Sequence, residues 1–387
     1  MNIPFHKPYI TEDEINAAAD MMRAGWLTAG VTTVSFEQDF KKYVGCANAV
    51  SVNSATAGMH LCLAAMGLRE HDEVLMPAMT FTATAEVVRY FNAWPVLVDI
   101  EPDTHLMDVN KIDEKITART RAIMPVHFAG QPCDMDEILE IARGHGLAVI
   151  EDAAHCLPSW YKGRPVGSLG GDACFSFYAT KTITTGEGGM VCTDSDERAG
   201  HMRTLRLHGI DRDAWQRHNS SRFWQYDVVE AGYKYNTTDI AAAIGIEQLK
   251  KAEKIGEMRR RIAGRYTAAF EGQTGLLPYR VKPDRVTSWY LYPLDLDLDA
   301  LSITRDRFIE EMRGRGVGMS VHFIPLYEFT YYKKIGYTGE GLDNCRRVFE
   351  RTMSLPIFPA MSDSEVDYVI DRSEEHTSEL QSRQSNS

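Results

Sequence analysis

The stretch CFSFYATKTITTGEGG, Cys174–Gly189, decides the fold and the chemistry predicted for this chain. An apolar run that is typical of a buried strand is followed by a single lysine, Lys181, and then by small, flexible residues. A neutral lysine amine at a strand end is the nucleophile that Schiff-base chemistry needs. A solvated lysine in a glycine-rich loop is the alternative, and the residues around Lys181 weigh against it.

The neighbours of Lys181 suit a phosphate-bearing cofactor. Ser176 lies five residues before Lys181 and could reach a phosphate group. Gly186, Gly188 and Gly189 would let the backbone approach a cofactor closely, because glycine has no side chain in the way.

Outward from this stretch, short β-rich runs alternate with helical stretches such as 55–68 and 135–146. Strands separated by helices of this length predict an α/β fold with a mostly parallel sheet, here of about seven strands. The runs are 47–52, 72–77, 94–100, 121–128, 147–153, 173–179 and 188–194.

The pattern changes after about residue 240. Residues 240–272 predict one long helix or two in series, and a mixed region with strand-like and amphipathic segments follows. We therefore expect a large α/β domain over 1–240 and a smaller α+β domain over 241–371. Near the N-terminus, Thr11 with Glu14 fits a capping box for a helix that Gly25 ends.

The last residues, 372–387, are polar and read like the translation of a sequencing-library adapter. We expect this tail to be non-native and the natural chain to be cut within the helix that begins near residue 362.

Two more strand ends carry polar groups, and ligands collect at strand carboxyl ends in open α/β sheets. Ser54, Ala55 and Thr56 begin a helix after one strand, where free N–H groups can bind an anion, although simple capping by Ser54 also explains them. Asp152 ends another strand, where a buried carboxylate needs a partner such as a protonated pyridine nitrogen, although a capping or salt-bridged aspartate explains it equally well.

Two rings near these strand ends could contact a cofactor. His155 could hydrogen-bond Asp152 or a cofactor oxygen, although a plain core or surface histidine is an equal alternative. Phe81 follows a further strand and could stack on a flat ring, but an aromatic residue there is more often part of the core.

Composition narrows the class of protein. The formal net charge of −12 argues against a general nucleic-acid surface. The seven scattered cysteines form no CxxC pair, so we expect reduced, buried thiols and no metal site. The sequence lacks both the apolar core of a signal peptide and an apolar run of ~20 residues, so we expect a cytoplasmic protein without a membrane span.

Together these segments resemble the DegT/DnrJ/StrS family of nucleotide-sugar aminotransferases, fold-type I enzymes that depend on pyridoxal 5′-phosphate (PLP). The resemblance covers the chain from Pro4 to about Ile370. The motifs that carry it are GWLTAG, NSATAGMHL, PAMTFTATA, VDIEPDT, PVHFAGQPCDMD, IEDAAH, FSFYATKTITTGEGG, LRLHGIDRDAW, GYKYNTTDIAAAIGIEQL and VHFIPL.

The resemblance implies roles for the cofactor residues. Lys181 would hold PLP as a Schiff base, and Asp152 would pair with its pyridine nitrogen. His155 would support the ring hydroxyl or Asp152, and Phe81 would stack on the ring. Four residues would hold the phosphate: Ser54, Ala55, Thr56 and Ser176.

The resemblance also implies a homodimer with shared active sites. Asn236 would reach the cofactor phosphate of the neighbouring subunit, Trp26 and Thr28 would line the sugar side, and His322 would contact substrate. The cations available near the right motifs for a nucleotide diphosphate are Arg203, Arg206, Arg212 and Lys234, each equally explained as a solvated surface charge.

The expected reaction moves an amino group from an amino acid, L-glutamate by resemblance, to a UDP- or dTDP-linked 4-keto sugar for amino-sugar or surface-polysaccharide synthesis. The alternatives are a PLP-dependent sugar dehydratase and a non-catalytic PLP- or sugar-binding regulator. Family members that act as dehydratases have His where this chain has Lys181. Two departures also replace a common family His by Tyr, at Tyr290 and Tyr327; we expect them to leave the cofactor chemistry intact and to affect only how far the family's substrate contacts carry over.

Overall fold

The computed structural model describes residues 1–211, 224–301 and 303–384. Its strands, in chain order, are β1 Asn48–Val52, β2 Glu73–Pro77, β3 Trp94–Val98, β4 Thr120–Ile123, β5 Ala148–Asp152, β6 Trp160–Tyr161, β7 Arg164–Pro165, β8 Asp172–Ser176, β9 Gly189–Thr193, β10 Leu276–Pro278, β11 Arg285–Val286, β12 Tyr292–Leu296 and β13 Thr352–Leu355.

The helices lie between and after these strands. The α-helices are α1 Glu12–Ala24, α2 Val31–Val44, α3 Ala55–Ala65, α4 Thr82–Arg89, α5 Met135–His145, α6 Asp196–Leu205, α7 Asp239–Lys250, α8 Ala252–Phe270, α9 Arg305–Gly314, α10 Thr330–Lys334, α11 Asp343–Arg351 and α12 Asp363–Gln384. Short 3₁₀ turns span Val109–Lys111, Asp113–Lys115, Phe128–Gly130 and Leu326–Glu328.

The central sheet has seven strands in the order β1-β9-β8-β5-β4-β2-β3. Strands β8, β5, β4, β2 and β3 pair in parallel, while β9 is antiparallel to both β8 and β1. Within this sheet of the described residues, β9 alone therefore runs against the other strands. The predicted α/β fold, with a mostly parallel sheet built from the seven predicted runs, is confirmed.

The sheet is covered on both faces, which explains why its strands read as apolar runs. Successive side chains of a strand point to opposite faces. Accordingly, Leu75 and Val149 enter one core cluster, whereas Val74, Met76 and Ile150 enter the cluster on the other face. Helices α3 and α4 contribute to the second cluster, and α2, α5 and α7 to the first.

Local signals at the helices are also confirmed. Helix α1 begins with the Thr11 capping box and ends at Gly25, which has the left-handed φ of 80°. The predicted long helix over 240–272 is two helices in series, α7 and α8, interrupted at Lys251. The side chain of Lys251 binds Glu14 at 2.8 Å, which ties the interruption to α1.

A second, smaller sheet of order β10-β12-β13 packs in a third core cluster. Apart from Ile3, all buried members of that cluster lie within 262–369. This agrees with the α+β pattern expected after residue 240. The boundary at residue 240 stays a prediction, as does the foreign origin of residues 372–387; helix α12 continues past Arg372 to Gln384.

Three further findings concern the described part of the chain. No helix there is long and apolar enough to cross a membrane. No group of three or more His, Cys, Asp or Glu side chains there could hold a metal ion. All seven cysteines are free and buried, as expected for reduced core thiols.

Gly245 allows α7 to pack closely on α2. A Cβ at this position would lie 2.6 Å from the ring of Phe36, which is buried in the core. We expect Gly245→Ala to lower the free energy of unfolding by about 1–3 kcal/mol, because the ring has no room to move. Gly264→Ala in α8, where a Cβ meets nothing within 4 Å, is the control and should be neutral or stabilising by about 0.5–1 kcal/mol. Urea unfolding at one protein concentration measures both, and equal effects would contradict this account of the packing.

Candidate active site

A cavity of about 580 Å³ lies at the carboxyl ends of β1, β2, β5 and β8. These ends meet at one edge because the four strands run in the same direction. Nine of the twelve site residues expected from the sequence line the cavity: Ser54, Ala55, Thr56, Phe81, Asp152, His155, Ser176, Lys181 and His322.

Lys181 sits in a tight turn just after β8. Its N–H donates to the carbonyl of Tyr178 at 2.8 Å, which closes the turn. Its Nζ atom lies 4.2 Å from the ring centroid of Tyr290, within the range of a cation–π contact. The lysine therefore reaches the cavity from a fixed backbone, with its amine over an aromatic face.

Asp152, the last residue of β5, is only 5% exposed and lines the cavity. Its Oδ2 accepts a hydrogen bond from the Thr84 hydroxyl at 2.8 Å, and its Oδ1 accepts the N–H of Ala154 at 3.2 Å. Thr84 is in turn hydrogen-bonded to Thr80 at 2.8 Å. A buried carboxylate with fixed donors is held in one orientation and is ready to pair with a cation in the cavity.

His155 is buried beside the cavity and keeps its ring 4.3 Å from that of Tyr290. Among the described residues its Nδ1 has no hydrogen-bond partner, and Asp152, one of its two expected partners, takes its hydrogen bonds from Thr84 and Ala154 instead. Burial, and then the charge of Lys181, hold the pKa of His155 well below its usual value. The imidazole is therefore neutral and can accept or donate one hydrogen bond inside the cavity.

Ser54 has the structural role that the sequence left open, and it also lines the cavity. Its Oγ accepts the N–H of Ala57 at 3.1 Å and caps α3. The first N–H groups of a helix have no partner within the helix, so those of Ala55 and Thr56 can face an anion. A Cβ on Gly189 would lie 2.7 Å from the Ser54 carbonyl carbon, so only glycine lets β9 approach this helix start.

Phe81 and His322 are two further residues that line the cavity. Phe81 is 58% exposed and its ring centroid lies 6.0 Å from that of Phe323, which leaves a free aromatic face. His322 hydrogen-bonds Ser354 through Nδ1 at 2.9 Å. Burial and the charge of Lys181 lower the pKa of His322 to about 3, so this imidazole is also neutral.

Comparison with known proteins decides the family. Residues 8–373 match the model of the DegT/DnrJ/EryC1/StrS aminotransferase family. The chain belongs to this family.

Its relatives match along nearly their whole length. SpsC of Bacillus subtilis, a spore coat polysaccharide biosynthesis protein, is 43% identical over 371 residues, 95% of each chain. Spr1654 of Streptococcus pneumoniae, described as a sugar aminotransferase, has 33% identity and a TM-score of 0.92 in its PMP form, covering 98% of this chain and 100% of its own. DesI, solved with its TDP-sugar product, has 29% identity and a TM-score of 0.88, covering 100% of this chain and 95% of its own.

This DegT/DnrJ/EryC1/StrS chain is thus a PLP-dependent aminotransferase with the fold of its family; Spr1654 is also known in a PLP form. The groups that line the cavity fit PLP. Asp152 offers a fixed carboxylate, the start of α3 offers N–H donors, and His155, whose Nδ1 has no partner among the described residues, lines the same cavity as Lys181 with its primary amine.

Three predicted site residues lie outside the cavity of their own chain. The carbonyl of Thr28 accepts the N–H of Asp239 at 3.3 Å, and Trp26 donates to the carbonyl of Ala29 at 3.4 Å, so both belong to a loop fastened to the start of α7. Asn236 donates to the carbonyl of Thr237 at 2.9 Å. The roles that the family resemblance implies, Asn236 at the neighbouring subunit's cofactor phosphate and Trp26 and Thr28 on the sugar side, stay predictions.

The four cations considered for a nucleotide diphosphate differ in their surroundings. Arg206 is not available to a substrate, because it is buried and forms an ion pair with Glu37 at 2.6 Å. Burial alone would raise the pKa of Glu37, but the charge of Arg206 and the hydrogen bonds that Glu37 accepts together have the larger effect, and the pKa of Glu37 is lowered. Arg203 donates to the carbonyl of Ala49 at 3.1 Å. Lys234 is exposed. Arg212, with the rest of its motif after 211, lies outside the described residues.

Several residues at the site were not predicted from the sequence. Thr84 lies in the family motif PAMTFTATA, but no local signal says that its hydroxyl faces a residue 68 positions away. Tyr290 stands out in the sequence as a departure from the usual family His, and that signal could have placed it in the site. Phe5 and His6 also line the cavity, although they come from the distant N-terminus.

We expect Thr84→Val to lower the free energy of unfolding by about 1–3 kcal/mol, because it removes a donor from the buried Asp152 carboxylate while keeping the side-chain volume. Thr82→Val on the same helix, which loses a hydrogen bond to the partly buried Glu86, should change it by no more than about 0.5 kcal/mol. Denaturant unfolding of both variants measures the difference. Equal changes would mean that the Thr84–Asp152 hydrogen bond contributes no more to the free energy of unfolding than the Thr82–Glu86 hydrogen bond does.

The lowered pKa of His322 predicts a pH dependence of stability. The unfolded chain binds a proton on this imidazole near pH 6.5, while the folded chain binds it only near pH 3, so stability is full above pH 6.5 and falls as the pH drops towards 3. Between pH 7 and pH 5 the wild type should lose roughly 2 kcal/mol more than His322→Gln. Unfolding at both pH values, at fixed protein and cofactor concentrations, tests this; identical losses would show that His322 titrates normally.

Proposed function

We propose that this protein transfers the amino group of an amino acid, L-glutamate, to a nucleotide-linked 4-keto sugar carried on UDP or dTDP. The observation that carries the proposal is the meeting of a primary amine, Lys181, with the buried carboxylate of Asp152 in one cavity of about 580 Å³. A cavity of this size suits a cofactor together with part of a substrate.

PLP, when bound, supplies an electron sink and a carbon to which amino groups can be attached and from which they can be removed. The residues of the chain do the rest. Asp152 pairs with the ring nitrogen and keeps it cationic, and the start of α3 with Ser176 holds the phosphate. Phe81 covers one face of the ring, and the neutral His155 offers a hydrogen bond to the ring hydroxyl.

Lys181 has two tasks in this proposal. Its amine binds the cofactor covalently in the resting enzyme, and after an amino donor displaces it, the free amine carries a proton between two carbon atoms. An imidazole cannot perform the first task. Lys181 therefore favours amino transfer over the dehydratase alternative, and the complete set of cofactor residues favours an enzyme over a regulator.

The sugar substrate is proposed from relatives. DesI was solved with a TDP-sugar product, and SpsC is a polysaccharide biosynthesis protein. We infer that this chain also acts in amino-sugar or surface-polysaccharide synthesis. We further propose a cytoplasmic homodimer in which Asn236 reaches the neighbouring subunit's cofactor phosphate as a donor through Nδ2, which has two N–H groups and gives one of them to the carbonyl of Thr237.

The absorbance of the PLP-loaded protein tests this function. We expect a band near ~410–430 nm that moves to ~330 nm when L-glutamate is added, wavelengths that belong to PLP chemistry itself. Lys181→Ala should lose the first band, because the covalent link is gone. The control is Lys162→Ala, an exposed lysine paired with Asp136 outside the cavity, which should keep both.

Each outcome has a clear meaning. A band in the wild type that ignores glutamate would point to another donor, a dehydratase or a binding role. A folded wild type without the first band would overturn the proposal. If the two expected changes occur, a panel of UDP- and dTDP-linked keto sugars then identifies the acceptor by recovery of the original band.

A further inference from the structure

Tyr290, one of the two tyrosines that replace a common family His, stands beside the cofactor lysine. Its ring centroid is 4.2 Å from Lys181 Nζ, and its hydroxyl is hydrogen-bonded to Thr180 at 2.9 Å. His155 lies on it with a centroid distance of 4.3 Å. The ring is thus fixed by the residue before the lysine and by a cavity histidine.

The backbone on either side of Tyr290 is also fixed. Trp289 has a φ of 50°, a left-handed conformation that a bulky residue adopts only when its surroundings impose it. The buried Arg259 donates through Nη1 to the carbonyls of Trp289 at 3.1 Å, Tyr290 at 3.2 Å and Ile357 at 3.1 Å. A fully buried guanidinium therefore holds the loop that carries Tyr290 into the cavity.

The ring is the partner that the structure gives to the lysine amine. Among the described residues, no hydrogen bond or ion pair holds Lys181 Nζ, and the cation–π contact with Tyr290 is its recorded interaction. The neighbouring histidines do not repel it, because burial lowers the pKa of His6 to about 4, that of His322 to about 3 and that of His155 well below the usual value. An ammonium group here faces an aromatic ring among neutral imidazoles.

We propose that Tyr290 is a positioning residue for the free Lys181, whose ammonium form rests on the ring between the two proton transfers. This rests on the proposed aminotransferase function. The neutral amine takes the proton from the donor's α-carbon and becomes an ammonium. The electron pair of the broken C–H bond stays on the substrate and is delocalised into the cofactor. The ammonium then gives the same proton to the cofactor carbon that it had been linked to and becomes neutral again.

The ring attracts the ammonium and hardly attracts the neutral amine, since the attraction is between a positive charge and the negative face of the ring. Loss of the ring should therefore slow the proton transfers without preventing the covalent link to PLP. Tyr290→Leu should form the ~410–430 nm band normally but convert it roughly tenfold more slowly with glutamate in single turnover, at an unchanged half-saturating glutamate concentration. Tyr290→Phe, which keeps the ring, should stay within about threefold of the wild type.

A matched control is the other departure, Tyr327, which does not line the cavity and so lacks the bearing on substrate contacts that the sequence suggested. It is buried outside the cavity, so Tyr327→Leu removes an equal ring without touching Lys181. This variant should show the wild-type conversion rate, and thermal unfolding of every variant separates general loosening from the specific effect. A conversion rate in Tyr290→Leu equal to the wild type, or an equal slowing in Tyr327→Leu, overturns the proposal.

A second readout needs no turnover. In cofactor-free protein with ¹³C-methylated lysines, the Lys181 methyl signal, assigned by its loss in Lys181→Arg, should be shifted upfield by the ring current of the aromatic face. The shift should persist in Tyr290→Phe and disappear in Tyr290→Leu; an unshifted signal in the wild type refutes the resting position. A wild type that forms no ~410–430 nm band would instead refute the aminotransferase function, so the two failures are distinguishable.

Discussion

The parallel pairing of β5 with β8 is the constraint on which the rest of the site depends. Asp152 lies opposite Cys174 in this register, so the carboxylate that ends β5 and the turn that follows β8 reach the same edge of the sheet. Lys181 stands in that turn. Strand β9 runs back between β8 and β1, and Gly189 lets it pass within contact distance of the start of α3. One set of strand directions thus brings amine, carboxylate and helix start together.

The two adjacent carboxylates of the IEDAAH motif are separated by the pleat of β5, which turns successive side chains to opposite faces. Glu151 is fully buried and hydrogen-bonds His127 Nε2 at 2.9 Å, while His127 Nδ1 accepts the N–H of Cys133 at 3.1 Å. Because Nδ1 is an acceptor, the ring proton must sit on Nε2 and point at Glu151. Glu151 therefore binds His127 on the face of the sheet opposite to Asp152, and Asp152 remains available to the cavity.

The sequence predicted those features of the structure that depend on a local pattern of residues. Apolar runs located all seven strands of the central sheet, the capping box at Thr11 located α1, and the turn after β8 located Lys181. It did not predict contacts between distant segments, such as Thr84 with Asp152 or Tyr290 with Lys181, since these depend on how loops pack after the sheet has formed. For the same reason it could not distinguish the buried, paired Arg206 from a solvated arginine.

The choice of an aromatic ring beside Lys181 has an energetic consequence. An aminotransferase lysine must leave the cofactor, hold a proton and return, so any partner that binds it must also release it. An ion pair with a buried carboxylate would hold the ammonium strongly and would take Asp152 from the ring nitrogen. A cation–π contact contributes about 0.5–2 kcal/mol, enough to favour one position of a flexible side chain but little enough to be reversed within each turnover. The histidines on the other sides are neutral and therefore do not repel the ammonium. The burial that lowers the pKa of His155 and His322 thus supports the contact between Lys181 and the ring.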